Sequence, residues 1–101
     1  MDDSRCVWNA AKDSENERKH GITFEDACRV FDDPHHAVVP DDREYDEERW
    51  IATGRVDAGV LIVVFTDRDG KDRIIAARRA KRQEEETYYA AAFGFRGRSR
   101  R

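Results

Sequence analysis

The residues best suited to chemistry crowd into one stretch, Arg73-Ile-Ile-Ala-Ala-Arg-Arg-Ala-Lys-Arg-Gln-Glu-Glu-Glu-Thr-Tyr88. Its arginines are of the type that holds anions, because a planar guanidinium meets two phosphate oxygens at once. Arg73 and Arg78 straddle a change of pattern. Ile74 and Ile75 are β-branched and strand-like, whereas the residues from Ala77 onward are helix formers without Gly or Pro until Gly94. On this reading Arg78, Arg79, Lys81 and Arg82 occupy the first turns of a helix, ahead of Glu84, Glu85 and Glu86. That order opposes the helix macrodipole, which favours acids at the N-terminus, and gives Lys81/Glu85 and Arg82/Glu86 the weaker i,i+4 polarity. Two readings fit: bases placed to meet an anion, aided by backbone N–H groups at the helix start, or a solvated basic face. The acid–base candidates are Glu84, Tyr88 one turn beyond it, and His20 at the end of an upstream helix. Their bland alternatives are an ion-paired Glu84 and a core Tyr88.

No nucleophilic triad, Gly-rich phosphate loop or paired-carboxylate motif is present. His35-His36, taken with His20, Cys6 and Cys28, matches no zinc-ligand spacing, so neither a metal nor another cofactor is expected.

These groups must be positioned by a chain of 101 residues, enough for one domain with a modest core. Charged residues make up 41% and hydrophobic residues 39%, but the latter are gathered into runs, which favours folding over disorder. The net charge of −3 conceals an asymmetry: residues 1–50 hold 15 acids and 7 bases (−8), and residues 51–101 hold 7 acids and 12 bases (+5). An acidic front and a basic back suit a nucleic-acid face combined with a partner face. No stretch is apolar enough to span a membrane, and Met-Asp-Asp-Ser lacks the features of a signal peptide. The expectation is a cytoplasmic protein whose two cysteines are free, buried thiols.

Cys6-Val7-Trp8 reads as an edge strand. A helix follows, with Asn9 as N-cap and Gly21 at the C′ position. Lys12, Asn16, Lys19 and His20 share one face of it, either a solvated stripe or a functional one. A second helix begins at Thr23, which with Asp26 forms a weakened capping box. Its stripe Phe24, Ala27, Cys28, Phe31 is core, and Asp32-Asp33-Pro34 stops it. Residues 41–48 form an acidic loop of low apolar content that orders only in part. Trp50–Val56 alternates as a strand, with Trp50, Ala52, Gly54 and Val56 on one face. Val60–Phe65 is apolar on both faces, as a central strand is. Asp57-Ala58-Gly59 and Asp69-Gly70 supply hairpin turns. The fold class is α+β: an antiparallel sheet of three to four strands, two N-terminal helices and one C-terminal helix. The domain is placed at 1–92. Residues 93–101, rich in Gly and Arg, form a flexible basic tail, either a source of phosphate contacts or a solvated chain end.

Three motifs in order carry a family resemblance over roughly Trp8 to Tyr88. They are Trp8-Asn-x-x-Lys12-x-x-x-Asn16-x-x-Lys19-His20-Gly21-Ile-Thr-Phe24-Glu-x-Ala27, then Glu48-Arg49-x-Ile51-x-x-Gly54-Arg55, then Arg73-Ile-Ile-x-Ala-Arg-Arg-Ala followed by Glu84 and Tyr88. Together they resemble the BrnT family, small ribonuclease toxins of bacterial toxin–antitoxin pairs with a RelE-like fold. Asn9 stands where the family usually has Asp, and Ala76 where it usually has Ser. The resemblance implies a metal-independent endoribonuclease. Its partners would be RNA and a cognate antitoxin of ribbon-helix-helix type, with DNA reached only through that antitoxin. For that chemistry the candidate catalytic residues are Arg73, Arg78, Glu84, Tyr88 and His20, with Arg55, Arg79, Lys81, Arg82, Lys12 and Lys19 as candidates to meet RNA. The competing reading is a non-enzymatic RNA-binding or protein-interaction module of the same fold.

Overall fold

The computed structural model describes residues 5–43 and 46–94. In chain order the elements are β1 (Cys6–Val7), α1 (Ala10–His20), α2 (Phe24–Cys28), a 3-10 turn (Arg29–Asp32), β2 (Ala37–Pro40), β3 (Trp50–Val56), β4 (Gly59–Arg68), β5 (Lys71–Arg79) and α3 (Arg82–Phe93). The strands form one sheet in the order β1-β5-β4-β3-β2.

The apolar run at 60–65 makes β4 the central strand, with Leu61 and Val63 fully buried. Two-residue turns pair it with β3 and β5: Val56 lies opposite Gly59, and Arg68 opposite Lys71. In the second turn Asp69 and Gly70 have φ of 57° and 81°, the left-handed conformations that match the twist of a tight hairpin. One face of the sheet packs Ala52, Leu61, Val63, Phe65, Ile74 and Ala77 against Ile22, Phe24, Ala27, Cys28 and Val30. The approach is close at Gly54, where a Cβ would come within 2.7 Å of Val30 Cγ1. The opposite face carries α3, of which Tyr88 alone is buried.

Four expectations are corrected. The sheet has five strands and is mixed, because β1 runs parallel to β5 (Cys6 opposite Asp72, Val7 opposite Arg73). Strand β2 went unread because all four of its residues are exposed and show no alternation. The C-terminal helix begins at Arg82 and not near Ala77. Residues 76–79 instead continue β5, opposite 61–64 of β4, so sheet pairing overrides the helix propensity of Ala and Arg. Glu84 and Glu85 therefore occupy the first turn of α3, where the macrodipole favours acids, and Arg78 and Arg79 lie outside the helix. Finally, Cys6 and Cys28 are joined in a disulfide between β1 and α2, so they are not free thiols.

The described part of the acidic loop is tied down. Arg43 makes two hydrogen bonds, of 3.0 and 2.8 Å, to the carboxylate of Asp41, and Thr66 Oγ1 donates to Glu48 C=O. Of the expected tail, Phe93 ends α3 and Gly94 caps it with φ 73°; residues 95–101 lie outside the described residues.

A bulge opposite Val64/Phe65 leaves Ile75 as the extra residue of β5, so Ile74 and Ala77, three apart, enter the same core. The alternation then turns both Arg73 and Arg78 toward the opposite face. Beyond β1 the outer edge of β5 is met by a side chain. Asn16, on α1 and 6% exposed, donates to Ala77 C=O (2.9 Å) and accepts from Ala77 N–H (3.1 Å). It also donates to Ile22 C=O (2.9 Å), just after the end of α1. One carboxamide thus serves as a rung of the sheet and fixes the helix against it. Removing it leaves buried backbone groups unsatisfied, at about 1–3 kcal/mol each, part of which water recovers. Asn16→Ala is expected to lower stability by roughly 3 kcal/mol, read as a fall in the urea midpoint at unchanged slope.

Candidate active site

Arg78 sits near the end of β5 at the close of a transverse row, Ala37–Thr53–Ile62–Arg78, across four strands. Its neighbour Ala77 has β4 on one side and the Asn16 carboxamide on the other, so β5 is flanked at both edges just before Arg78. Its guanidinium reaches across to α3 and donates twice to Glu84, Nη1 to Oε1 at 2.8 Å and Nη2 to Oε2 at 2.9 Å. Nη1 also donates to Arg79 C=O at 3.2 Å. A guanidinium has five N–H groups. Glu84 takes the end-on edge, and Nε, with the second hydrogen of Nη2, makes no hydrogen bond among the described residues.

Glu84 is fixed in turn by Lys81, whose backbone N–H donates to Oε1 at 2.7 Å at the start of α3. The Arg78 guanidinium, with that N–H, holds the Glu84 carboxyl down at about 2, and Glu84 raises Arg78 above its ordinary value. One turn on, Tyr88 donates its hydroxyl hydrogen to Asp33 Oδ2. Burial and the Asp33 carboxylate raise Tyr88 to about 12. Burial works to raise Asp33 as well, but hydrogen bonds from Tyr88 and from the backbone N–H groups of Arg55 and His35 outweigh it and leave Asp33 below its usual value. At neutral pH the site therefore holds an ionised Glu84, an ionised Asp33 and a protonated Tyr88.

Of the residues singled out in the sequence, the fold gathers Arg78, Lys81, Glu84 and Tyr88 along one groove of about 690 Å³, floored by Ile51, Thr53 and Ile62. Arg55 lies in an adjoining cleft that shares Tyr88 and His35 with this groove. Arg79 turns away to donate to Ala58 C=O at 2.7 Å, and Arg82 pairs with Glu86 at 3.3 Å on the surface. Lys12, Lys19 and His20 line a separate groove of about 390 Å³ with Ile75 and Ala76 at the edge of β5. Arg73 stays apart: it lies opposite Thr66, five residues before Arg78, a rise of roughly 16 Å along a strand. The expected corner of Arg73 and Arg78 at a helix N-terminus does not form, because both belong to β5.

Asp33 was missed. Its sequence signal, Asp-Asp-Pro, marks a helix stop, and nothing local links it to Tyr88, 55 residues away. His36 Nδ1 donates to Asp33 C=O at 2.7 Å, and the His35 ring lies 4.9 Å from that of Phe93. Among the described residues no three His, Cys, Asp or Glu are grouped so as to hold a metal ion.

The Glu84 carboxyl, near 4.5 when free and about 2 here, adds stability that is full above pH 4.5 and is lost as pH falls toward 2. Glu84→Gln is therefore expected to unfold at a midpoint that varies less between pH 5 and pH 2 than wild type does, measured by thermal melts across that range.

A comparison with curated proteins returns no match. A comparison with protein families returns the ribonuclease toxin BrnT of type II toxin–antitoxin systems, matched over residues 8–84. That span takes in the α1 stripe, strands β2 to β5 and the Arg78–Glu84 pair, and it agrees with the resemblance carried by the three motifs. The chain belongs to the BrnT family of ribonuclease toxins of type II toxin–antitoxin systems.

Proposed function

We propose that the groove between β5 and α3 is where this ribonuclease cuts RNA, by attack of a ribose 2′-OH on its own phosphate without a metal. Arg78 carries the reading. Glu84 locks its end-on edge and leaves the Nε/Nη2 edge of this groove-lining arginine as a two-pronged donor. Such a preset fork stabilises the charge that builds on phosphorus in the transition state. Glu84 is too weak a base, held at about 2, to be more than the clamp for Arg78. Tyr88 keeps its proton and serves as a donor. Lys81 at the groove, Arg79 and Arg82 beyond its lining, and Lys12, Lys19 and His20 at the β5 edge supply phosphate contacts; Arg73 adds one further along the strand, and Arg55 meets RNA from the adjoining cleft.

The antitoxin partner is of ribbon-helix-helix type and touches DNA itself, and the pair works in the cytoplasm. Val39, 52% exposed on β2 and lining the groove, gives such a protein an apolar foothold.

Arg78→Lys keeps the charge and loses the fork. RNA binding is expected to stay within a few-fold of wild type while cleavage falls on the order of 10²–10³-fold. Single-turnover cleavage of labelled RNA with a parallel binding titration is the measurement. Cleavage at the wild-type rate in Arg78→Lys, with a folded His20→Ala inactive, would move the chemistry to the α1 groove. Activity is also expected to survive a chelator; loss on chelation with recovery on adding one divalent ion would overturn the metal-free reading.

A further inference from the structure

Beyond the cleavage groove the second half of α3 presents aromatic rings that the core does not use. Tyr89 and Phe93, one helical turn apart, stack with centroids 5.9 Å apart and an interplanar angle of 24°. His35 meets Phe93 at 4.9 Å, Tyr88 meets Tyr89 edge-on at 5.1 Å, and the Arg55 guanidinium carbon lies 6.0 Å from the centre of the Tyr89 ring. These rings line an open cleft of about 920 Å³, within the usual size of a small-ligand site. Phe93, 46% exposed, is one of the residues that line the cleft.

We infer that this cleft is a stacking subsite for one nucleobase of single-stranded RNA, built from Tyr89, Phe93 and His35 with Arg55 above the Tyr89 ring. The inference rests on the reading of the neighbouring groove as the cleavage site. Tyr88 and His35 line both, so a strand whose phosphate lies at Arg78 carries an adjacent base into the cleft. The charges there select a base over a phosphate. Asp32, Asp33 and Asp57 offset Arg29 and Arg55, leaving little to draw an anion, whereas a neutral base offers a π-face to the rings and N–H groups to the carboxylates. Tyr89 and Phe93 lie past the matched segment 8–84, and His35 and Arg55 lie within it.

The test uses the full chain and a short fluorescent 2′-O-methyl oligonucleotide, which lacks the attacking hydroxyl and stays intact. On wild-type protein, replacing one base after another by an abasic unit is expected to weaken binding about tenfold at one position only. Tyr89→Leu and Phe93→Leu, which keep apolar bulk and remove the π-face, are expected to weaken binding of the intact oligonucleotide to a similar degree, with Tyr89→Phe restoring it. On the oligonucleotide abasic at the sensitive position the Leu variants should bind as wild type does. Equal affinity for every abasic oligonucleotide overturns the subsite without recourse to any variant. Leu variants that bind the intact oligonucleotide normally but lose the antitoxin assign the cleft to the protein partner and overturn it too. Both base-dependent losses with Arg78→Lys cutting at the wild-type rate overturn the groove assignment and leave the subsite standing.

Discussion

The carboxylate of Asp33 is the point from which the site hangs. It accepts from the Tyr88 hydroxyl and, at 2.7 and 2.9 Å, from the backbone N–H groups of Arg55 and His35. One side chain thus joins the end of the 3-10 turn, strand β3 and helix α3. The demand on it is high because α3 has 12 residues and buries only Tyr88. Helices shorter than about 12–15 residues are marginal alone in water. Two polar clamps, Tyr88 to Asp33 and Glu84 to Arg78, hold the helix on the sheet, one turn apart. Burial works against an ionised Asp33, and three donors reverse that balance, so the acceptor stays charged when Tyr88 needs it.

A second polar contact fixes the other edge. Asn16 fills the place of a strand beside Ala77 and joins α1 to β5 immediately before Arg78. The order of the elements follows: the Asn16 rung steadies β5, β5 presents Arg78, and Arg78 receives Glu84 from a helix placed by Asp33. The disulfide between Cys6 and Cys28 adds a covalent tie on the same side, joining β1 to α2.

How far this was legible in the sequence follows from the range of each interaction. Where the signal is local, it could be read. Asn9 and Gly21 bound α1, Asp69-Gly70 turns β4 into β5, and the apolar run at 60–65 declares a central strand. Where two local tendencies conflict, reading failed: Ala76-Ala77-Arg78-Arg79 favours helix by propensity, yet its backbone groups pair with β4. Strand β1 pairs across a gap of more than sixty residues over only two positions, too short to declare its direction. Asn16 looked like one polar residue of a wet stripe because nothing local marks a carboxamide as aimed at a strand 61 residues away. Arg78, Glu84 and Tyr88 were recognisable by type, but the geometry inferred for them was helical. The actual pair reaches from a strand to a helix, and Asp33, which orients the third, left no trace beyond a helix stop.

The Arg78–Glu84 pair also explains why the site needs further cations. A clamped pair is close to neutral at a distance, so it does little to draw a polyanion toward a chain whose net charge is −3. Attraction over a Debye length has to come from charges that are not neutralised, and Lys81, at the mouth of the groove, and Lys12, beside the β5 edge, are placed for that. Arg82 is a weaker source, being paired with Glu86. Once a phosphate is in contact the ranking reverses. The exposed lysines offer point charges on flexible stems, whereas Arg78 offers two donors whose direction is set by Glu84 and by a strand paired along β4. Holding the guanidinium costs little at contact range, because the edge used by Glu84 is not the edge left for phosphate. On the reading proposed for the groove, steering and chemistry fall to different cations: the exposed lysines recruit RNA, and the clamped arginine acts on the phosphate.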